Sequence, residues 1–294
     1  MVSKQDYAMR RPYMASSATM ATRRAPDLQE LYRWAVQDPR IQVTFLSLIY
    51  HHGPGRWPRR LREDFAGNAA DAVDWLALGG EGAIAVDIDA TALRWGTRRA
   101  QRILGTRAGR LRVVKADVRT VGPPRLPKVD VVAALNFSAL VLHERRDMLD
   151  YLRRVRDGLR AGGVFVMNVF GGPLGMRPWV RRRTIRRKAL YAIEPPPPPF
   201  EYVWHQRSFD ALTARVDCRL HFVLREGGRK RTLRNAFRYD WRLWTVPELQ
   251  DLLREAGFQK TEVWQHTNRG RGGVFEPTAR LEGPAWIAYV VGRR

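Results

Sequence analysis

Short apolar segments alternate with longer amphipathic segments between residues 60 and 169. The fourth apolar segment, VDVVAAL, is nearly free of polar residues, as in a parallel strand covered on both faces. A strand–helix alternation of this kind predicts a parallel sheet with right-handed crossovers. The predicted strands are 60–65, 82–87, 111–115, 129–135 and 164–169, and the predicted helices are 69–78, 89–105 and 144–160.

Helices precede this alternation, and a different pattern follows it. An amphipathic helix begins at Asp27 and is limited by Pro39, and a packed helix covers 41–51. After residue 173 the alternation of strands and helices stops. A proline tract at 195–199, which cannot enter the centre of a sheet, leads into segments of strand-like alternation. These segments, 201–209, 214–224 and 233–241, predict an antiparallel insertion.

The strand–helix alternation resumes after the insertion. Thr245 and Glu248 have capping-box spacing at the start of a helix, and Gly257 ends that helix. Two further segments, 259–265 and 285–291, are predicted to close the sheet. The loop between them, 268–273, is rich in glycine and arginine and is predicted to be mobile.

The predicted fold class is therefore α/β. We expect a doubly wound, Rossmann-like sheet with an antiparallel β insertion before the last helix and strands. Residues 1–26 are predicted to form a basic, disordered segment, and 27–294 to form the folded domain. Within the domain, 27–60 holds the N-terminal helices, and 174–242 holds the basic, proline-rich stretch and the insertion.

The charge is the least ordinary part of the composition. The chain has 52 Lys and Arg against 29 Asp and Glu, a formal net charge of +23. A surface this basic attracts polyanions such as RNA, although a GC-rich genome also favours arginine. The densest basic run extends from Arg177 to Lys188 and includes Trp179. It is interpreted either as a phosphate-contacting patch for RNA or the ribosome, or as a solvated helix face.

The sequence also indicates the cellular compartment in which the protein is expected. No apolar run approaches the roughly 20 residues that cross a membrane. Cys218 is the single cysteine, so a reducing compartment is expected, and its alternating segment predicts a strand residue rather than a nucleophile. Residues 1–26 lack a secretory apolar region, so we expect an intracellular, cytoplasmic protein, with mitochondrial import also compatible. His51 and His52 have no partner at ligand spacing, so no metal site is predicted.

The turn after the first predicted strand carries the chemistry. Small residues there, Ala66 and Gly67 among them, let the backbone approach a ligand closely. Asp87 ends the next strand, where a carboxylate accepts ribose hydroxyls. A dinucleotide site needs three glycines in this turn, and a P-loop needs Lys followed by Ser or Thr; neither is present. The pattern favours an adenosine cofactor without phosphates, and S-adenosylmethionine fits.

At these residues the chain resembles class I S-adenosylmethionine-dependent methyltransferases. It is most similar to a bacterial-type branch whose first motif runs LREDFCGTA; here residues 61–69 read LREDFAGNA, so Ala66 and Asn68 replace Cys and Thr. The similarity covers nearly everything beyond Pro26. Further matches are AVQDP at 35–39, VDID at 86–89, ALNFS at 134–138, YVW at 202–204, YDWRLW at 239–244 and AWIAYV at 285–290.

The resemblance implies a role for each matching residue. Glu63 would lie near the methionine amino group, Asp87 would bind the ribose, and Asp117 would face the adenine amino group. Asn136 would border the transferring methyl group as a catalytic residue. His143 follows the fourth predicted strand and is the candidate general base, although a helix-start or surface histidine is the favoured interpretation. For each acid the competing interpretation is a helix cap or a solvated loop. The implied cofactor-binding residues are Glu63, Phe65, Ala66, Gly67, Asn68, Asp87, Ile88, Asp117, Val118, Asn136 and Phe137.

Two functions from different classes remain open on the sequence. The first is a methyltransferase that uses S-adenosylmethionine and acts on RNA or on a small molecule. The second is a non-catalytic RNA- or ribosome-associated protein on a methyltransferase scaffold, which would use the +23 charge for binding. A nicotinamide-dependent reductase is disfavoured by the single glycine of the turn. The aromatic residues of the insertion are predicted mostly as its core, with a substrate mouth or a surface that stacks on bases as the alternative: Trp204, His205, Phe209, Tyr239, Trp241 and Trp244.

Overall fold

Two β-sheets and six α-helices make up the described part of the chain. The structure, a computed structural model, describes residues 27–186, 194, 197–226, 228–267 and 274–294. The predictions for segment 1–26 and for loop 268–273 lie outside the described residues. The elements are α1 (Leu28–Val36), α2 (Pro39–His51), β1 (Arg60–Asp64), α3 (Ala70–Ala77), β2 (Gly82–Asp87), α4 (Ala90–Leu104), β3 (Leu111–Lys115), β4 (Val129–Ala134), α5 (Arg145–Gly158), β5 (Leu159–Gly171), β6 (Trp179–Ile185), β7 (Phe200–Asp210), β8 (Arg215–Glu226), β9 (Arg229–Arg242), α6 (Val246–Glu255), β10 (Lys260–Thr267), β11 (Val274–Pro277) and β12 (Trp286–Arg293).

The main sheet has eight strands in the order β11-β10-β12-β5-β4-β1-β2-β3. Strands β1 to β5 run parallel to one another. Strand β12 lies antiparallel to β5, and β10 lies antiparallel to β12. The strand order reverses between β1 and β4, and at such a point the carboxyl ends of parallel strands leave a crevice for a ligand. The predicted doubly wound α/β class is confirmed.

The predicted and observed bounds differ most where α5 meets β5. Helix α5 ends at Gly158 and not at residue 160, and β5 begins at Leu159 and not at residue 164. Strand pairing accounts for the early start of β5, because Leu159 already pairs with Val129 of β4. Gly162 donates a backbone hydrogen bond to Arg294 at 3.1 Å, and Arg294 donates to Gly163 at 3.0 Å. The sheet therefore includes Leu159 and Arg160, which the sequence assigns to the helix. Strand β11, at the edge of the sheet, is an element that the sequence pattern did not predict.

The insertion is a second, four-stranded antiparallel sheet in the order β6-β7-β8-β9, which we call the insertion sheet. Its first strand corrects the helical interpretation of the basic run from Arg177, because residues 179–185 pair with 200–206 along β7. Side chains of a strand alternate between faces. Arg181 and Arg183 therefore lie on one face, and Arg182 lies on the other, where it pairs with Glu201 at 2.8 Å.

The insertion sheet shares its core with the rest of the domain. Helix α1 packs Leu31 and Trp34 against Phe222 of β8. At the other end of the sheet, Trp241 joins the cluster of buried residues that covers one face of the main sheet. This packing holds the insertion sheet beside the carboxyl ends of the parallel strands.

Four further features bear on the sequence predictions. Within the described ranges, no helix is long and apolar enough to cross a membrane. Cys218 lies buried in β8, as predicted for a strand residue, and burial raises the pKa of its thiol. His51 ends α2 and stacks on Trp57 with 4.4 Å between ring centroids. Among the described residues, no group of three His, Cys, Asp or Glu side chains is arranged to hold a metal ion.

Candidate functional site

Unusual backbone conformations concentrate at the carboxyl ends of β1 and β4. Phe65 and Ala69 have φ angles of 54°, and Asn136 and Phe137 have φ angles of 58° and 62°. Such angles cost a residue with a side chain about 1–3 kcal/mol and persist where the surroundings impose them. In the described part of the chain, these four are among six such non-glycine residues. Two constrained loops therefore face each other at the crevice.

A cavity of about 390 Å³, the first cavity, opens between these loops. Its volume is in the usual range for small-ligand sites, roughly 300–1,000 Å³. Glu63 and Phe137 lie outside its lining. The other nine predicted cofactor-binding residues all line it: Phe65, Ala66, Gly67, Asn68, Asp87, Ile88, Asp117, Val118 and Asn136.

Two backbone amides fix the Asp87 carboxylate at the end of β2. Its Oδ2 accepts a hydrogen bond from the Gly67 amide at 2.7 Å, and its Oδ1 accepts one from Asp89 at 2.7 Å. Burial raises the pKa of Asp87, and these hydrogen bonds oppose the rise. Each carboxylate oxygen keeps a second lone pair, so the group can also accept two ligand hydroxyls. A Cβ on Gly67 would meet no atom within 4 Å, so its backbone borders open space.

The outer part of the cavity combines apolar surface with a charged pair. Ile88 and Val118 both line it, and Ile88 is 70% exposed. Asp117 accepts hydrogen bonds from the backbone of Arg119 at 2.8 Å and from its guanidinium at 2.7 Å. These bonds lower the pKa of Asp117. Arg119 also donates to Asp147 at 2.9 Å, so one guanidinium holds two carboxylates at this rim.

The first cavity is acidic although the protein is strongly basic. Its described lining holds four carboxylates, Asp87, Asp89, Asp117 and Asp147, and one guanidinium, Arg119. The whole chain carries a formal charge of +23. An excess of carboxylates in a concave site favours a cationic ligand and repels phosphate groups.

Glu63 lies beneath the turn and outside the described lining of the first cavity, so its expected place near the methionine amino group stays a prediction. Only 4% of Glu63 is exposed, and its Oε2 accepts a hydrogen bond from the Ala72 amide at 2.8 Å. It thus caps helix α3, whose own N-cap residue, Ala69, makes no side-chain cap. Burial raises the pKa of Glu63 to about 8. Asp71 is buried beside it, and its carboxylate has no hydrogen-bond partner among the described residues.

Glu63→Gln is expected to flatten the pH dependence of stability. The raised pKa means that the folded protein holds a proton which the unfolded chain releases, so the free energy of unfolding falls as the pH rises from about 4.5 to about 8. Glutamine keeps an acceptor for the Ala72 amide and removes this titration. Thermal unfolding followed by circular dichroism should show a smaller fall in Tm for the variant between about pH 5 and pH 8. An equal fall in both proteins would contradict the assignment.

A second cavity of about 630 Å³ adjoins the first. It is surrounded by helix α2, the ends of β4 and β5, the outer strands of the main sheet and one face of the insertion sheet. Phe137 lines this second cavity. Four residues line both cavities and mark their junction: Tyr32, Asn136, Tyr239 and Trp241.

Neighbouring amides hold Asn136 at this junction. Its Oδ1 accepts a hydrogen bond from Gln42 Nε2 at 3.4 Å. The backbone amide of Phe137 donates to Asn168 Oδ1 at 2.9 Å, which ties the loop after β4 to β5. The predicted position of Asn136, between a cofactor and an acceptor, is compatible with this placement.

His143, the candidate general base, lies outside both cavities. Its Nε2 is 2.8 Å from the backbone oxygen of Asp240 on the insertion sheet. Desolvation lowers the pKa of His143. The contact with β9 explains the position, and we withdraw His143 as a catalytic candidate because it reaches neither cavity.

The aromatic residues of the insertion have two roles. Trp244 belongs to the core, as predicted, and its Nε1 donates to the backbone oxygen of Leu142 at 3.0 Å. Trp204, Tyr239 and Trp241 pack against the core and also line the second cavity. The same side chains therefore build the core and the cavity wall.

Gly96 on α4 is a structural determinant of the site that the sequence reasoning missed. A Cβ there would lie 2.4 Å from the backbone oxygen of Asn68, so the helix packs directly on the turn of the first cavity. In the sequence, a lone glycine inside a helical pattern could have indicated this close contact. It marks a place where helix and backbone must approach closely.

Gly96→Ala is expected to lower stability by about 1–3 kcal/mol, because the added methyl group must displace the turn. Without that contact, alanine would stabilise a helix by about 1 kcal/mol. Gly109→Ala is the matched control, since its Cβ would meet no atom within 4 Å. Chemical denaturation measures both. If Gly96→Ala stabilised the protein, the turn would move away from the added methyl group without cost, and the prediction would be wrong.

Comparison with known proteins supports the fold. No protein-family model matches the sequence, and no curated protein matches it. CalS10, an amino pentose methyltransferase from Micromonospora echinaspora solved with S-adenosylmethionine, matches with a TM-score of 0.66 and 13% identity over 93% of this chain and 99% of that one. The sugar N-methyltransferase KedS8 from Streptoalloteichus matches with a TM-score of 0.61 and 15% identity over 96% and 99%. A methyltransferase from Clostridium acetobutylicum matches with a TM-score of 0.61 and 12% identity over 90% of this chain and 96% of that one. The chain has the Rossmann-like fold of these methyltransferases.

Proposed function

We propose that this protein is an S-adenosylmethionine-dependent methyltransferase. The observation that carries the proposal is the acidic first cavity at the carboxyl ends of β1 to β4 in a protein of charge +23. S-adenosylmethionine combines a ribose with a sulfonium cation and has no phosphate. Nicotinamide dinucleotides and ATP carry phosphates, which four carboxylates would repel. The charge of the first cavity therefore favours S-adenosylmethionine over nicotinamide dinucleotides and ATP.

The residues of the first cavity fit this cofactor group by group. Asp87 would accept the ribose hydroxyls with the lone pairs that its two backbone hydrogen bonds leave free. Ile88 and Val118 would pack on the adenine ring, and Asp117 would face its amino group. Gly67 would let the methionine part approach the backbone, since nothing occupies the space beyond its Cα.

The junction between the cavities is where transfer would occur. When bound, S-adenosylmethionine would supply a methyl group on a sulfonium, and the acceptor lone pair would form the new bond as the S–CH₃ bond broke and its electrons stayed on sulfur. Alignment and exclusion of water supply most of the catalysis for such a displacement. Asn136 would orient the acceptor. Tyr32 and Tyr239 hydrogen-bond to each other there, and burial raises the pKa of Tyr32 to about 12, which keeps it protonated.

Calorimetry tests the proposal directly. We expect S-adenosylmethionine and S-adenosylhomocysteine to bind the full chain, and NAD⁺ and ATP to bind far more weakly. Incubation with a labelled methyl donor and separate RNA, protein and small-molecule extracts would then locate the acceptor fraction. Tight binding of NAD⁺ with no binding of S-adenosylmethionine would overturn the proposal.

A further inference from the structure

We propose that the second cavity binds a small molecule with a planar apolar ring and an anionic oxygen group, a carboxylate or a phosphate, and that this molecule is the methyl acceptor. The role of acceptor rests on the proposed function. Occupancy of the cavity by such a molecule does not depend on it.

One face of the insertion sheet forms an aromatic wall. Tyr202 and Trp204 lie on β7, and Tyr239 and Trp241 lie on β9; all four line the cavity. Tyr239 and Trp241 stack at 4.3 Å between ring centroids with 14° between their planes. Trp204 and Trp241 stack at 5.8 Å and 29°. Rings that support one another in this way present a fixed apolar surface, which suits a planar ligand.

Two polar groups in this wall lack a partner. The indole N–H groups of Trp204 and Trp241 are buried and donate to no atom of the described residues. By contrast, the indole of Trp244 donates to Leu142 at 3.0 Å. An unsatisfied buried donor is unfavourable, because folding removes its hydrogen bond to water and supplies no replacement. Neither nitrogen has accessible surface, so these donors show that the wall is not fully satisfied, and the choice of an anionic group rests on Arg181.

Arg181 adds positive charge at the edge of the cavity. It lies opposite Trp204 in the strand register and makes no hydrogen bond or ion pair with a described residue. Arg183, on the same face, already donates to the backbone oxygen of Ala35 at 2.8 Å. Asp38 is the one carboxylate in the described lining. The two arginines outnumber it, so the second cavity attracts an anion whereas the first attracts a cation.

Calorimetry with four naphthalene probes distinguishes the contribution of the aromatic ring to binding from that of the charged group. 2-Naphthoate and 2-naphthyl phosphate are anionic, 2-naphthamide is neutral and 2-naphthylmethylamine is cationic. We expect at least one anion to bind the full chain about 10-fold more tightly than the amide, because hydrogen bonds to charged groups are the stronger ones. The amine should bind most weakly. The two anions distinguish a carboxylate from a phosphate ligand.

A matched pair of variants locates the effect. Arg181→Gln should lower the affinity for the anion about 10-fold and leave that for the amide unchanged. Arg182→Gln removes the same charge from the opposite face of β6, where Arg182 pairs with Glu201, and should change neither. Both titrations omit S-adenosylmethionine, so their failure is distinct from failure of the proposed function.

Three results would overturn the inference. The amide or the amine could bind as tightly as both anions, which would remove the role of charge. Arg182→Gln could weaken anion binding as much as Arg181→Gln, which would indicate general attraction to a surface of charge +23. A short oligouridylate could bind in an Arg181-dependent manner while neither naphthalene anion binds, which would make RNA the occupant.

Discussion

Asp87→Asn is expected to weaken binding of S-adenosylmethionine by about 10- to 100-fold, since hydrogen bonds to a charged group contribute about 1.5–3 kcal/mol. The carboxylate accepts from Gly67 and Asp89 and would accept the ribose hydroxyls as well. An amide side chain has one acceptor atom, and its NH₂ group would oppose one of the backbone donors. Calorimetry with S-adenosylhomocysteine measures the loss without turnover.

Glu81→Gln is the control for this substitution. Glu81 precedes the opposite end of β2, is half exposed and pairs with Arg59 at 3.5 Å. The same chemical change there should leave the affinity unaltered. Thermal unfolding of both variants shows whether the turn still folds. Unchanged affinity of a folded Asp87→Asn variant would remove the ribose contact from the proposal and weaken the cofactor assignment.

Local patterns account for the part of the fold that the sequence predicted well. Strand β2 has its predicted bounds, Gly82–Asp87, because an apolar run starts after a glycine and ends in an acid. Thr245 and Glu248 form the predicted capping box at the start of α6. The first turn was recognisable because its small residues and the acid after it have a chemical meaning at fixed spacing.

Features that depend on packing between distant segments were not predictable in this way. Strand β6 reads WVRRRTI, and its arginines conceal the alternation that pairing with β7 creates. The second cavity exists only because the insertion sheet docks beside the ends of β4 and β5. Glu63 carries the acid of the first motif, yet its carboxylate caps α3. A motif predicts the residue type near a ligand more securely than the atom that it contacts.

The two cavities have opposite local charge, and the sequence total of +23 conceals this. Among the described lining residues, the first cavity has four carboxylates and one guanidinium, and the second has two guanidiniums and one carboxylate. A sulfonium donor would become neutral on transfer, whereas an anionic acceptor would keep its charged group apart from the reacting atom. The opposite charges of the cavities would therefore favour binding of the cationic donor in the first cavity and of the anionic acceptor in the second.

Arg62→Met is expected to destabilise the protein by about 3–5 kcal/mol, the usual cost of leaving a buried charge unpaired. Arg62 donates to the Asp64 carboxylate at 2.8 Å, and both side chains are at most 1% exposed. Tyr151 donates a second hydrogen bond to Asp64 at 3.1 Å. Urea denaturation measures the loss. Arg146→Met, on a side chain that is 91% exposed, should stay within about 0.5 kcal/mol.

The double variant Arg62→Met/Asp64→Leu separates charge from packing. If the unpaired carboxylate causes the loss, removing it should recover most of the stability, because apolar replacement of a buried pair is often neutral. Burial already raises the pKa of Asp64, and loss of Arg62 raises it further. The folded single variant therefore holds a proton that the unfolded chain releases, and its stability falls as the pH rises above the ordinary Asp range. A double variant as unstable as the single one, with no such pH dependence, would assign the loss to packing around Gly158, whose Cβ position lies 2.7 Å from the guanidinium.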